Sequence, residues 1–182
     1  MANKKHILIF TDWYKPGYKA GGPIQSVANI VEHLQEQFYF SVVTRNTDLN
    51  SDEPYSNIQP NKWIEQNPDY RTYYISKEKL NKELINDLLK EKKYHAIYLN
   101  SLFSYFFTIL PLQIAKKNNI KVILAPRGML GAGALQIKKF KKSKYAAQTK
   151  IKSHELKTFF YFSFGNLRGV SARAAVLHGR QR

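Results

Sequence analysis

Five short apolar runs divide the first 125 residues, at 6–11, 38–44, 71–75, 95–99 and 120–125. The first is continuous, the pattern of a central strand in a parallel sheet, and the second alternates and is rich in β-formers. Helical patterns lie between them. After the first run, Ile24, Val27, Ala28, Val31 and Leu34 recur at helical spacing with Ile30 beside them, one apolar stripe on a helix. After the third, Leu80, Leu84, Ile85, Leu88 and Leu89 form another stripe in a helix over 77–93, with Ser76 as its N-cap. After the fourth, a helix over 102–118 contains Pro111, which kinks it or divides it in two. Residues 46–70, with Pro54, Pro60 and Pro68, read as a long irregular loop with room for short local structure. Strands alternating with helices predict an α/β chain with an open, doubly wound, Rossmann-like parallel sheet.

The remaining composition narrows the class. The chain has 182 residues, 43% of them hydrophobic, enough for one domain with a real core. No apolar stretch reaches the length of a membrane span. The opening MANKKHILIF has no small-residue cleavage site, so it reads as a first strand and not a signal peptide. There are no cysteines, which excludes disulfides and cysteine-ligated zinc and fits a reducing cytoplasm. The net charge is +16, and it is uneven. Residues 138–157 carry eight lysines against Glu155, and residues 165–182 carry four arginines and no acid. The switch from lysine to arginine after Phe164 sets a boundary. Residues 1–164 form the domain, and 165–182 read as a frameshifted or vector-derived extension, with a natural basic tail as the alternative.

In open α/β sheets ligands bind outside the carboxyl ends of the strands, and three such ends carry unusual residues. The first is KPGYKAGGPIQS, residues 15–26. Gly21 and Gly22 let backbone approach a ligand, Pro23 suits the first helical turn, and the helix N-terminus offers N–H donors to phosphate. A tight turn that needs glycine for geometry alone would read the same. The segment matches neither GxGxxG nor the P-loop. The second end is LNSLFS, where Asn100 faces a ligand hydroxyl and Ser101 either joins it or caps the next helix. The third is APRGMLGAGAL, where Arg127 is placed to fork onto a carboxylate or phosphate, or to pair with a surface acid. Gly128, Gly131 and Gly133 let that loop fold tightly. His6 and His95 lie on or beside strands and read as structural, and no metal-ligand spacing is present.

Taken together, FTDWYKPGYKAGGPIQSVANIVEHL, HAIYLNSLFS and APRGMLGAGALQIKKFKK resemble the N-terminal domain of family-four glycosyltransferases, a retaining group with the GT-B architecture. The resemblance covers residues 4 to 163. It implies one half of a two-domain enzyme that transfers a sugar from a nucleotide-sugar donor to a glycan or lipid-linked acceptor, as in bacterial surface polysaccharide synthesis, with no metal and no other cofactor. It implies that Gly21, Gly22 and Arg127 approach donor phosphate, and that Tyr14, Asn100 and Ser101 line the acceptor side of the cleft. Many relatives have a histidine where Asn100 and Ser101 stand here, so no catalytic residue carries over. The donor-binding glutamates belong to a second domain, and the sequence ends where that domain would begin. The expectation is a fragment inactive by itself.

Lys138, Lys139, Lys141 and Lys142 then suit anionic lipid headgroups, with neighbouring aromatics at the interface. A cytoplasmic protein, peripheral at the inner face of the plasma membrane, follows. Two rivals remain: a non-catalytic nucleotide- or sugar-binding domain, and a basic nucleic-acid-binding module. The second lacks any helix-turn-helix, RRM or zinc-finger signature, so nucleic acid is not the expected partner.

Overall fold

The structure, a computed structural model, describes residues 4–127. Six strands form one sheet: β1 (Lys5–Phe10), β2 (Phe38–Arg45), β3 (Trp63–Asn67), β4 (Tyr70–Ile75), β5 (Ala96–Leu99) and β6 (Val122–Leu124), in the order β3-β4-β2-β1-β5-β6. All neighbours are parallel except β3 and β4. Among the parallel strands alone, the spatial order is third, second, first, fourth, fifth. That is the order of a Rossmann-like half, with its reversal between β1 and β5.

Helices cover both faces. Helix α1 (Gly22–Leu34) buries Ile24, and packs Val27, Ala28 and Val31 against Ile7, Ile9, Phe40, Val42, Ala96 and Tyr98. On the other face α2 (Lys82–Lys90) and α3 (Leu110–Lys117) pack Ile85, Leu88, Leu89, Leu110 and Ile114 against Leu8, Phe10, Val43, Ile97 and Leu99. Alternate residues of one strand thus enter different cores, which is why β1, β2 and β5 carry no solvent-facing polar side.

Three local expectations change. The loop over 46–70 contains β3, an antiparallel edge strand hairpinned to β4 with a register shift between Glu65 and Asn67. Its sequence, WIEQN, is polar because an edge strand need not be buried on both faces. The Asn67 side chain closes the hairpin by accepting from the Asp69 and Tyr70 amides. Second, Ser76 does not cap α2. Its hydroxyl accepts from Asn61 and its amide donates to Asn61, and only a short 3-10 turn, Lys77–Lys79, follows. The cap is Asn81, which accepts from the Leu84 amide at 2.8 Å. Third, the helix after β5 starts later and is divided. Residues Tyr105–Ile109 form a wide π turn, closed by the Leu110 amide on the Tyr105 carbonyl, before α3 begins. Pro111, lacking an N–H, sits in the first turn of α3 where none is needed.

Candidate functional site

The reversal of strand order leaves a crevice at the carboxyl ends of β1 and β5, where neighbouring crossovers leave for opposite faces. Four segments meet there: residues 11–22 after β1, Arg45 at the end of β2, residues 100–105 after β5, and Arg127 after β6.

The connector after β1 is held firmly. The Asp48 carboxylate accepts from the amides of Tyr18, Lys19 and Leu49, and Tyr74 donates its hydroxyl to the Lys15 carbonyl at 2.6 Å. A Cβ on Gly17 would come within 2.3 Å of the Tyr55 hydroxyl and 2.9 Å of the Tyr14 carbonyl, so that glycine is demanded by packing. Gly21 has φ of +61°, a backbone shape that disfavours side chains. Gly22 is different. Its φ is ordinary, and a Cβ there would meet no described residue within 4 Å. No local geometry requires glycine at position 22; what it leaves is open space above the start of α1. The helix has no acidic residue in its first turn and no side-chain cap, and Pro23 follows at once. Among the described residues, the amides of Gly22 and Ile24 have no hydrogen-bond partner. Two N–H groups at the positive end of the helix therefore lack an acceptor among the described residues.

Asn100 and Arg127 are brought together. Asn100 is 4% exposed. Its Nδ2 donates to Thr11 Oγ1 and to the Pro23 carbonyl, both at 3.2 Å, and its Oδ1 accepts from Arg127 Nε at 2.6 Å. Arg127 also donates to the Tyr98 hydroxyl at 2.8 Å, and it holds a φ of +50°. This chain of bonds ties the ends of β1, β5 and β6 to the first turn of α1. Ser101 is buried beside Asn100 and does not cap the next turn; Ser104 does, accepting from the Phe107 amide. Tyr14 is 2% exposed and packs in the α1-side core with Val27 and Tyr98. Burial raises its phenol well above the ordinary range.

Sequence reading passed over Asp12, the residue that extends the crevice on the other side of β1. Its Oδ1 accepts from Ser104 Oγ at 2.8 Å and lies 3.4 Å from the Arg45 guanidinium, which in turn rests 4.9 Å from the Phe107 ring. Burial raises the Asp12 carboxyl above its usual value; Ser104 and Arg45 offset that only in part. A lone acid directly after an apolar strand, ILIFTD, was the available signal. Two exposed aromatics flank the same rim: Tyr18, 76% exposed, on the β1 side, and Tyr105, 43% exposed, on the β5 side. They are the large hydrophobic side chains left open to solvent among the described residues, and flat rings so placed suit stacking on a ring of a ligand.

Among the described residues no three His, Asp or Glu side chains gather as a metal site, and no helix is long and apolar enough to cross a membrane. Gly128, Gly131, Gly133, Lys138, Lys139, Lys141, Lys142 and the segment 165–182 lie outside the described residues. No protein-family model matches the chain, and no curated protein matches it. The fold and the strand reversal together define a Rossmann-like α/β domain whose first helix begins, with no side-chain cap, at the switch point.

Proposed function

We propose that this domain is the acceptor-side half of a retaining, nucleotide-sugar-dependent glycosyltransferase of GT-B architecture. It transfers a sugar to a glycan or lipid-linked acceptor in bacterial surface polysaccharide synthesis, at the cytoplasmic face of the membrane. The observation that carries the reading is Gly22: an open position over two unpartnered amides at the start of α1, at the switch point of the sheet. A donor diphosphate placed there gains backbone hydrogen bonds and the helix field without meeting a side chain. The Asn100–Arg127 linkage holds that turn in position, so both act as positioning residues, and the exposed rings of Tyr18 and Tyr105 suit an acceptor sugar. Transfer itself is assigned to groups on a facing second domain, with no metal and no other cofactor.

The test is an NMR titration of the chain with nucleoside diphosphates and their sugar conjugates. The expected result is saturable shifts at the Gly22 and Ile24 amides, lost in Gly22→Val. Shifts scattered over surface lysines, unchanged by that substitution, would overturn the reading.

A further inference from the structure

A second concave site lies at the opposite edge of the sheet. The amino-terminal ends of β1 and β5 and the turn before β6 line an open surface pocket of about 660 Å³. Six residues of β1 separate it from the crevice, roughly 17 Å along the strand. Lys4, Lys5, Lys92, Lys93 and Lys121 line it, and among the described residues no carboxylate does. Its floor is aromatic: the His6 ring makes edge contacts with Tyr39 and Tyr94 at 4.6 and 4.9 Å, and His6 Nε2 is bonded to Ser41 Oγ.

Three of the acids nearby are already engaged. Glu65 accepts from the Tyr39 hydroxyl, Glu91 pairs with Arg71 and accepts from Trp63, and Asp69 pairs with Lys4. Lys5, Lys92, Lys93 and Lys121 are exposed and make no ion pair with any described residue. Lysines commonly complement helix C-termini, and α2 and α3 both end at this edge. Two such ends carry about one negative charge between them. Four unpaired ammonium groups exceed that by about three charges. Water and salt screen part of their repulsion, and a multivalent anion seated among them would lower it further.

We propose that this pocket is a binding site for a phosphate-bearing group with two or more negative charges, separate from the crevice and independent of the transferase reading. The lysines supply charge from the rim. The uncharged aromatic floor, with His6 neutral, supports the non-phosphate part of the ligand. The phosphate has two possible sources, a soluble diphosphate or a phospholipid headgroup, and both meet the same four lysines.

The experiment uses the full chain, its Lys92→Glu/Lys121→Glu variant, and Lys62→Glu/Lys82→Glu as a control with the same change of net charge. Inorganic pyrophosphate binding is measured by calorimetry. Co-sedimentation is measured with phosphatidylcholine vesicles, with and without phosphatidic acid. The pocket variant is expected to weaken one of these interactions on the order of tenfold or more, with the control near the parent chain. Loss confined to pyrophosphate assigns a soluble ligand, and loss confined to phosphatidic acid vesicles assigns a headgroup. Equal weakening in both variants, or no binding that the pocket variant reduces, overturns the proposal. Thermal unfolding of all three proteins checks that the exposed substitutions leave the fold intact.

Discussion

At the scale of single residues, three glycines in one connector do three different things. Gly17 lies beneath Tyr55 and against the Tyr14 carbonyl, Gly21 turns the chain at positive φ, and Gly22 meets nothing. Gly17→Ala is expected to lower stability by about 1–3 kcal/mol, since neighbouring atoms must move. Gly22→Ala should leave it unchanged or raise it by up to about 1 kcal/mol, because alanine restricts the unfolded chain and fits a helix. Urea denaturation midpoints of the two variants check this. A large loss of stability in Gly22→Ala would mean that the open space over α1 is not there. The contrast was not visible in the sequence, where Gly21 and Gly22 carried one and the same reading and Gly17 carried none. Arg127 shows the same limit. Its place after a strand was legible, whereas its hydrogen bonds to Asn100 and Tyr98 depend on β5 and β6 lying side by side.

At the scale of elements, the long apolar runs and the α1 stripe were legible because burial on a given face imposes a period. The stripe Ile24, Val27, Ala28, Val31 is the buried face. Helix α2 was legible in its apolar residues but not in its start. Ser76 and Asn81 are both good capping types, and the choice fell to Asn61, which reaches across from another loop and occupies Ser76. Asn81→Ala is therefore expected to cost about 1 kcal/mol through loss of the bond to the Leu84 amide. Ser76→Ala should leave the helix start unaffected, its effect arising at the contact with Asn61. Amide exchange at Leu84 separates the two: faster in the first variant, unchanged in the second.

At the scale of the whole molecule, the doubly wound sheet separates two edges of different electrostatic character. One carries the bare N-terminus of α1, the other the lysine-lined pocket with His6 at its floor. Burial, with help from Arg71 and Lys92 and against Glu91, lowers the His6 pKa from 6.5 to about 4. The unfolded chain then takes up a proton on this histidine before the folded one does. The contribution is fully present above pH 6.5 and is lost as pH falls from there towards 4. His6→Gln is expected to flatten that part of the stability–pH profile relative to the parent chain. Denaturant midpoints at several pH values across the window provide the measurement; parallel profiles would show that His6 is not desolvated in the fold.

The amino-acid sequence by itself determined the class of fold, the positions of the buried strands, and the polar or glycine exceptions at the strand ends. Those are consequences of local period and local backbone chemistry, which act over a few residues. Tertiary structure decided the rest. Strand order is set by long-range pairing, so only the assembled sheet showed that β1 and β5 flank the reversal and that Asp12, Asn100, Ser104 and Arg127 meet there. Polar edge strand β3 was recognisable only from its partner. The lysine pocket is the clearest case: Lys5, Lys92, Lys93 and Lys121 come from three separate parts of the chain, and only the parallel alignment of β1, β5 and β6 brings their amino-terminal ends together.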